Sequence, residues 1–244
     1  MLEPRSGPRA LTLIVCTCVA SWLASGCAMT VSRSIEASRI VDAPGASPDR
    51  PFGDPELAIN GVRGGGAAGG SLDVYSIRYG DALVLGWDGE VLDGEGDDLV
   101  VFENSFDLVE GRAFMDPIVV EVSADGERWV AFPHDYVAED ETRYSNRRED
   151  WVGFAGVQAV YLNADTNPLD PFDAEAGGDR FDLAALGDGP DARAVLDEGV
   201  RFIRLTPAPD HENPDTGAPF LRDPASDGPD IDGVAARYVL GASS

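Results

Sequence analysis

Apolar residues along the chain come in short runs that glycine, proline, aspartate and asparagine separate. The runs are five to eight residues long and rich in Val, Ile, Leu and aromatic residues, which is typical of β-strands. No segment keeps the period of a long amphipathic helix with capping residues at its ends. We therefore predict nine strands, at residues 72–79, 82–87, 99–106, 117–123, 128–132, 157–162, 181–186, 200–206 and 234–240.

The run at residues 118–123 shows the strand period most clearly. Positions 118, 120 and 122 would face one side of the strand, and positions 119, 121 and 123 the other. Asp125-Gly126 follows this run and is a strong signal for a hairpin. Nine short strands at such turn-rich spacing predict an all-β domain, a single β-sandwich over residues 57–244.

The first 26 residues have the pattern of a cleaved leader. Arg5 and Arg9 precede an apolar run at residues 11–20 that is too short for a comfortable membrane span. The run ends in Leu23-Ala-Ser-Gly-Cys27, which resembles the lipobox of bacterial lipoproteins. The resemblance implies cleavage before Cys27 and acylation of its thiol. A plain signal peptide with an incidental cysteine is the alternative.

Lipid attachment at Cys27 would anchor the mature chain to a membrane, since more than one acyl chain gives stable binding. Ala28 follows the cysteine, and by resemblance to lipoprotein sorting rules this favours the outer membrane, on its periplasmic or its outer face. Residues 27–56 have little periodicity and are predicted to form a flexible tether.

Composition excludes several function classes. The chain has 18 Lys+Arg against 44 Asp+Glu, a net charge of −26, so it repels phosphate backbones and we expect no nucleic-acid partner. With only two histidines and three cysteines, of which two lie in the leader and one at the lipidation site, a zinc site or a Cys/His nucleophile has almost no material.

Oxygen ligands, by contrast, are abundant, and calcium takes six to eight of them. The acidic loop Asp93-Gly-Glu95-Gly-Asp97-Asp98 leads into a strand that ends in Glu103-Asn104. The glycines allow a tight loop whose carboxylates converge, so we predict a calcium site here. A solvated acidic hairpin is the alternative.

Two further acidic segments are candidates for metal ligation. Residues 163–182 include Asp179 and Asp182 around the tight turn Gly177-Gly178, and residues 223–232 lead through Asp232 into the last predicted strand. A long polar surface loop is the alternative for the first of these.

The segment 133–151 holds the candidate ligand-binding residues. Tyr136, Tyr144 and Trp151 lie outside the strand pattern, next to Arg147 in the most arginine-rich stretch of the mature chain. Exposed aromatics of this kind could stack on sugar rings. The alternative for the arginines is a local counter-charge to the acidic residues around them.

Three segments resemble discoidin, or coagulation-factor type C, domains. They are Val119-Glu-Val-Ser-Ala-Asp-Gly-Glu-Arg-Trp129, Gly199-Val-Arg-Phe-Ile-Arg-Leu205 and Asp230-Ile-Asp-Gly-Val-Ala-Ala236. The resemblance implies a galactose-binding-like jelly roll with Trp129 in the core. In jelly rolls of this class a structural cation often sits where an early loop meets the last strand, which would bring Asp232 to the acidic loop.

A second resemblance is to bacterial surface lipoproteins without an established function. It rests on Ser71-Leu-Asp-Val74, on residues 92–104 with the block Val101-Phe-Glu-Asn104, and on Gly177-Gly-Asp-Arg-Phe-Asp-Leu-Ala184. The resemblance implies cysteines in relatives after Phe132 and near residues 153–156, where this chain has none.

These observations predict a non-enzymatic, calcium-stabilised binding module for a glycan or a surface partner. Paired carboxylates leave a glycan-active hydrolase open, and a purely structural envelope component is the third possibility. A serine hydrolase is not supported, because the chain has no Gly-x-Ser-x-Gly.

Overall fold

The computed structural model describes residues 34–241, which form fifteen strands and one α-helix. The strands are β1 (Ile35–Glu36), β2 (Arg39–Asp42), β3 (Tyr75–Ser76), β4 (Leu83–Val91), β5 (Leu99–Glu103), β6 (Phe106–Asp107), β7 (Ala113–Phe114), β8 (Ile118–Ser123), β9 (Val130–Ala131), β10 (Asp135–Tyr136), β11 (Trp151–Val152), β12 (Asp179–Phe181), β13 (Val200–Pro207), β14 (Asp230–Ala236) and β15 (Val239–Leu240). The helix α1 spans Pro190–Glu198.

Two antiparallel sheets form the body of the domain. In the first, the strand order is β1-β14-β5-β12, and β3 also pairs with β14. In the second, the order is β15-β4-β13-β8-β9, and β2 also pairs with β4. Two short hairpin-like pairs, β6-β7 and β10-β11, lie outside these sheets. The coarse prediction of an all-β, sandwich-like fold is therefore confirmed.

The main hydrophobic core lies between the two sheets. Val101 and Val234 of the first sheet share one buried cluster with Leu85, Val120 and Ile203 of the second. Burial of such side chains stabilises the fold by roughly 1.5–3 kcal/mol each. This shared cluster is what makes the two sheets a sandwich.

Loops cover the outer face of each sheet with a smaller apolar cluster. On the second sheet, Val119 packs with Trp151 and Phe154. On the first, Phe102 packs with Val160 and Phe172. The predicted alternation in β8 is confirmed, because positions 118, 120 and 122 face the main core and Val119 faces the outer cluster.

The hairpin after β8 is also present, since β9 pairs with β8 in antiparallel register. Its turn is longer than two residues, and of Asp125 and Gly126 only Gly126 has a positive φ, of +79°. Ser123 and Asp125 accept the turn's N–H groups through their side chains, which replaces the tight two-residue turn that the pair Asp-Gly suggested.

The predicted tether extends less far than residues 27–56. Residues 35–42 form β1 and β2, which pair with β14 and β4, and the Trp87 indole N–H donates to the Ile35 carbonyl at 3.1 Å. The leader and Cys27 lie outside the described residues. Within the described part of the chain, no helix has the length and apolar character needed to cross a membrane.

Two predicted strands are not strands, and the helix was not predicted. Residues 157–162 make one isolated bridge, between Val160 and Gly177, and the run at 181–186 continues from β12 into a 3-10 turn at Leu183–Leu186. The helix has Pro190 in its first turn and Gly199 after its last residue with φ of +79°. This pairing of proline and glycine is the usual boundary signal of a short helix.

Gly177 and Gly187 allow a matched test of how tightly the outer loops pack. Each follows a 3-10 turn, with φ/ψ of +79°/−154° and +78°/−163° respectively. A Cβ at Gly187 would meet open space, whereas one at Gly177 would overlap the Ala159 carbonyl. We expect Gly187→Ala to lower the free energy of unfolding by roughly 1–3 kcal/mol through backbone strain.

Gly177→Ala should lower it by roughly 1–3 kcal/mol more, because it adds overpacking to the same strain. Urea unfolding of the two variants measures the difference directly. Equal losses of unfolding free energy in the two variants would show that the loop around Ala159 shifts to accommodate the added methyl group without a further loss of stability.

Candidate metal and ligand site

One end of the first sheet gathers three carboxylates from different parts of the chain. Phe181 of β12 pairs with Leu99 of β5, so the residue before β5 and the residue after β12 lie side by side. These residues are Asp98 and Asp182, and the loop after β4 adds Asp93. Each offers an oxygen, and the three oxygens lie within 4.8 Å of one another.

Asp98 organises this loop from the inside. It is fully buried, and its carboxylate accepts the Gly94 N–H at 2.9 Å and the Leu183 N–H at 2.8 Å. Burial raises its pKa to about 6, the two N–H donors oppose this, and the charges of Asp93 and Asp182 add to it. Asp98 therefore ties the acidic loop to the turn after β12.

The remaining parts of the loop are also held in place. Asp182 accepts the Ala184 N–H at 2.9 Å, and the Tyr238 hydroxyl donates to the Glu95 carbonyl at 2.9 Å. The Tyr238 ring covers Gly94 so closely that any Cβ there would overlap it. Three converging carboxylates on a fixed loop suit a hard cation such as calcium, which prefers oxygen ligands.

Asp182 also lines an open cleft of about 440 Å³. The cleft has apolar walls that include Phe132, Phe154 and Phe181, and polar side chains around them. The polar lining consists of Arg148, Glu149, Gln158, Asp179, Arg180 and Asp182. The carboxylate cluster and the cleft therefore share a residue.

Asp179 anchors the wall of this cleft. It is buried and accepts the N–H groups of Val157 and Gln158 at 3.0 and 3.3 Å. Burial is the main cause that raises its pKa to about 7, against the effect of these donors. Arg148 adds to the same wall by donating to the Val157 carbonyl at 2.6 Å.

The other predicted metal ligands do not join Asp93, Asp98 and Asp182. Glu95 is exposed, and Asp97 lies 3.9 Å from the Arg180 guanidinium. Glu103 and Asn104 lie at the opposite end of β5. The sequence predicts one site from the acidic residues between 93 and 104, but strand β5 separates Asp98 from Glu103 and Asn104.

Asp232 lies far from the acidic loop. In the pairing of β14 with β5, Ala236 is opposite Leu99 and Ile231 is opposite Glu103. Asp232 is thus at the Glu103 end, in an irregular part of the pairing, where it accepts the Arg63 N–H at 2.8 Å. The structure does not bring it to the first loop as the analogy with other jelly rolls had implied.

The predicted ligand-binding aromatics are mostly core residues. Trp151 and Tyr136 are buried, with their rings 4.2 Å apart, and the Trp151 edge meets Phe154 at 5.2 Å. Tyr144 packs against the same cluster, and its hydroxyl donates to the Met115 carbonyl. This packing leaves no free ring face on Tyr136 or Trp151 for a sugar, although Trp151 contributes to the cleft lining.

The arginine-rich stretch pairs with its acidic neighbours, as the alternative interpretation held. Arg147 donates to Glu149 at 2.9 Å, and Arg143 lies 3.4 Å from Asp140.

Trp129, which the discoidin resemblance placed in the core, is only partly buried. The Arg204 guanidinium lies 4.4 Å from its ring centre.

Comparisons with family models, with curated proteins and with solved structures found no match to this chain.

The raised pKa of Asp179 predicts a pH dependence of stability. The folded state holds a proton on this carboxyl between pH 4 and 7, where the unfolded chain has lost it. Folding is therefore favoured at low pH, and this contribution is lost as the pH rises towards 7, on the order of 1.4 kcal/mol per pH unit at most.

We expect Asp179→Asn to reduce the difference in unfolding free energy between pH 5 and pH 8, measured with a chelator present. The amide is neutral at both pH values, so it removes this titration. A variant with the same pH dependence as the wild type would show that Asp179 ionises normally.

Proposed function

We propose that this chain is a non-enzymatic binding module whose cleft takes a glycan and whose acidic loop takes calcium. The observation that carries the proposal is the position of Asp182, which belongs to both the carboxylate cluster and the cleft lining. A cation on the loop would fix the turn after β12, and this turn forms one side of the cleft. Ligand binding would then depend on calcium.

The lining of the cleft fits a sugar better than a purely apolar ligand. Aromatic and aliphatic walls can contact the apolar face of a sugar ring, and the carboxylates, the Gln158 amide and the arginines can exchange hydrogen bonds with hydroxyls. A polar surface of a partner protein is the alternative ligand of the same cleft.

We propose that this module is anchored to the outer membrane, because the lipobox-like segment ends at Cys27. Strand β1, which begins at Ile35, already belongs to the first sheet. The tether between the lipid and the domain would therefore be short. We further propose that the sandwich is a jelly roll of the galactose-binding-like class, which the three discoidin-like segments support.

Calcium should stabilise the full chain, purified in detergent. A cation that binds only the native state adds about 2.7 kcal/mol at 100 times its Kd, and this raises Tm by roughly 5–10 °C for a domain of this size. We expect Asp182→Asn to reduce this rise, because it removes one of the three converging carboxylates.

Glu95→Gln is the matched control for this experiment. It removes the same charge from the same loop, but Glu95 lies outside the cluster and is exposed, so the rise in Tm should stay. Equal effects of the two variants, or no rise in the wild type, would leave the loop as a solvated acidic surface.

Glycan binding should depend on the rim of the cleft. Val152 lines the cleft and is 53% exposed, and Leu240 is 51% exposed and lines a separate depression. On a glycan array probed with calcium, Val152→Glu should weaken binding roughly tenfold or more, about 1.4 kcal/mol, since it places a charge against the ligand.

Leu240→Glu is the control, because it also replaces an aliphatic side chain with glutamate, at a similarly exposed second residue of a two-residue strand. Release of reducing sugar from a bound glycan would establish the hydrolase instead. Absence of any glycan binding would leave the partner-protein and structural alternatives.

A further inference from the structure

A second group of carboxylates lies inside the domain, at the end of β5 opposite the acidic loop. Glu103 ends β5, and Asp230 begins β14, which pairs with β5. Through this pairing, the Asp230 N–H donates to Glu103 Oε1 at 3.3 Å. Asp116 lies just before β8 of the other sheet, and its charge acts on Glu103.

Gly156 shows how closely the two sheets approach here. A Cβ on this residue would overlap the Asp116 carbonyl and would lie 3.5 Å from Glu103 Cγ. The side chain of Glu103 and the backbone of Asp116 therefore both lie close to this glycine. The end of β5 and the segment before β8 therefore meet at this glycine.

Glu103 has an oxygen that the protein leaves without a partner. The residue is 2% exposed, and its Oε2 is buried with no hydrogen-bond partner among the described residues. The other two carboxylates are satisfied by neutral donors. Asp116 accepts the Ser226 and Tyr79 hydroxyls at 2.8 and 3.5 Å, and Asp230 accepts the Ser76 hydroxyl.

No arginine within residues 34–241 forms an ion pair with any of the three. Arg50 is near Asp230, but its guanidinium is directed to the carbonyls of Ser76 and Gly45, at 3.3 and 3.4 Å. The group is thus a set of buried acids without a side-chain cation in contact.

Such a group is costly unless its charge is removed or compensated. Burial, together with the charges of Asp116 and Asp230, raises the pKa of Glu103 well above its usual value. Protonation alone, however, does not satisfy Oε2. As a carboxylate oxygen it lacks a donor, and as a hydroxyl it would lack an acceptor. A bound cation would satisfy the oxygen and compensate the charge together.

We propose that Glu103, Asp116 and Asp230 form an interior site for a divalent cation of the calcium class, separate from the acidic loop. Among the described residues, only Asp93, Asp98 and Asp182 already bring three such oxygens within 4.8 Å. The interior site therefore completes its ligand set by rotation of these side chains or with main-chain carbonyls. A cation there joins β5 and β14 to the segment before β8, and so joins the two sheets.

The test compares calcium retention and thermal unfolding in variants of the full chain, purified in detergent, stripped with chelator and reloaded with calcium chloride. After gel filtration, atomic emission measures the calcium that each chain keeps. We expect Glu103→Gln and Asp116→Asn each to lose calcium that the wild type and Asp182→Asn keep, because a buried site exchanges slowly.

Thermal unfolding provides a second readout that a merely structural role would not produce. In chelator, Glu103→Gln should have a Tm equal to or above that of the wild type, because it removes an uncompensated buried acid. In calcium, its Tm should fall below that of the wild type.

Glu121→Gln is the control, since Glu121 is also buried but binds Arg204 through two hydrogen bonds of 2.6 and 2.7 Å. It should lower Tm in both conditions and leave the retained calcium unchanged.

The outcomes separate this site from the loop site. If Glu103→Gln keeps all the calcium of the wild type, or raises Tm equally in chelator and in calcium, the interior group holds only protons or water and the proposal is overturned. If Asp182→Asn alone abolishes the calcium response, the proposal for the interior is overturned and the loop site stands. Loss of the response in Glu103→Gln but not in Asp182→Asn would support the interior site and contradict the loop site.

Discussion

Buried carboxylates that accept main-chain N–H groups hold the loops of this domain to its sheets. Asp98 joins the turn after β4 to the turn after β12, and Asp179 joins β12 to the loop at Val157. Asp232 joins β14 to Arg63, 169 residues away in the chain. The chain has no lysine and few arginines for its acidic residues, so N–H groups take over part of the role that cations have elsewhere. Once these acids have ionised, hydrogen bonds to the charged acceptor contribute more than hydrogen bonds between neutral groups.

These hydrogen bonds to main-chain N–H groups also explain why buried acidic residues lie mostly at the ends of the strands. A carboxylate in the middle of a strand would face either the main core or an outer apolar cluster. At a strand end, the ladder stops and N–H groups of the adjoining turn are free to donate. Asp98 precedes β5 and accepts N–H groups from the turns after β4 and β12. Asp179 begins β12 and accepts N–H groups from the loop at Val157. Two buried acids lie within strands instead. Glu121 has Arg204 beside it, and Asp232 lies where the pairing of β14 with β5 is irregular and accepts the Arg63 N–H.

The sequence predicted the type of fold better than the grouping of the site. Strand period, turn residues and the hairpin after β8 are local properties, and they survive in the structure. The sequence does not predict the helix α1, although Pro190 and Gly199 mark its ends, because it is only nine residues long and Gly189 provides no side-chain cap. The metal ligands were grouped by proximity along the chain, but the five residues of β5 extend over roughly 15 Å. They place Asp98 and Glu103 in different sites. The partner of Asp98, Asp182, comes from strand pairing, which a single sequence does not reveal. The sequence does not predict the burial of Trp151 and Tyr136, because the loop that buries them has no regular pattern.

That loop brings together the segment after Phe132 and residues 153–156, neither of which contains a cysteine. Tyr136 pairs with Trp151 across β10 and β11, and a Cβ on Gly153 would overlap the Pro133 carbonyl. A disulfide acts mainly by restricting the unfolded chain, whereas aromatic packing acts in the folded state through buried area and ring geometry. The cluster around Trp151 and Phe154 therefore keeps the two segments together without a covalent bond. Because the same segments form a wall of the cleft, the shape of the cleft depends on this packing rather than on a crosslink.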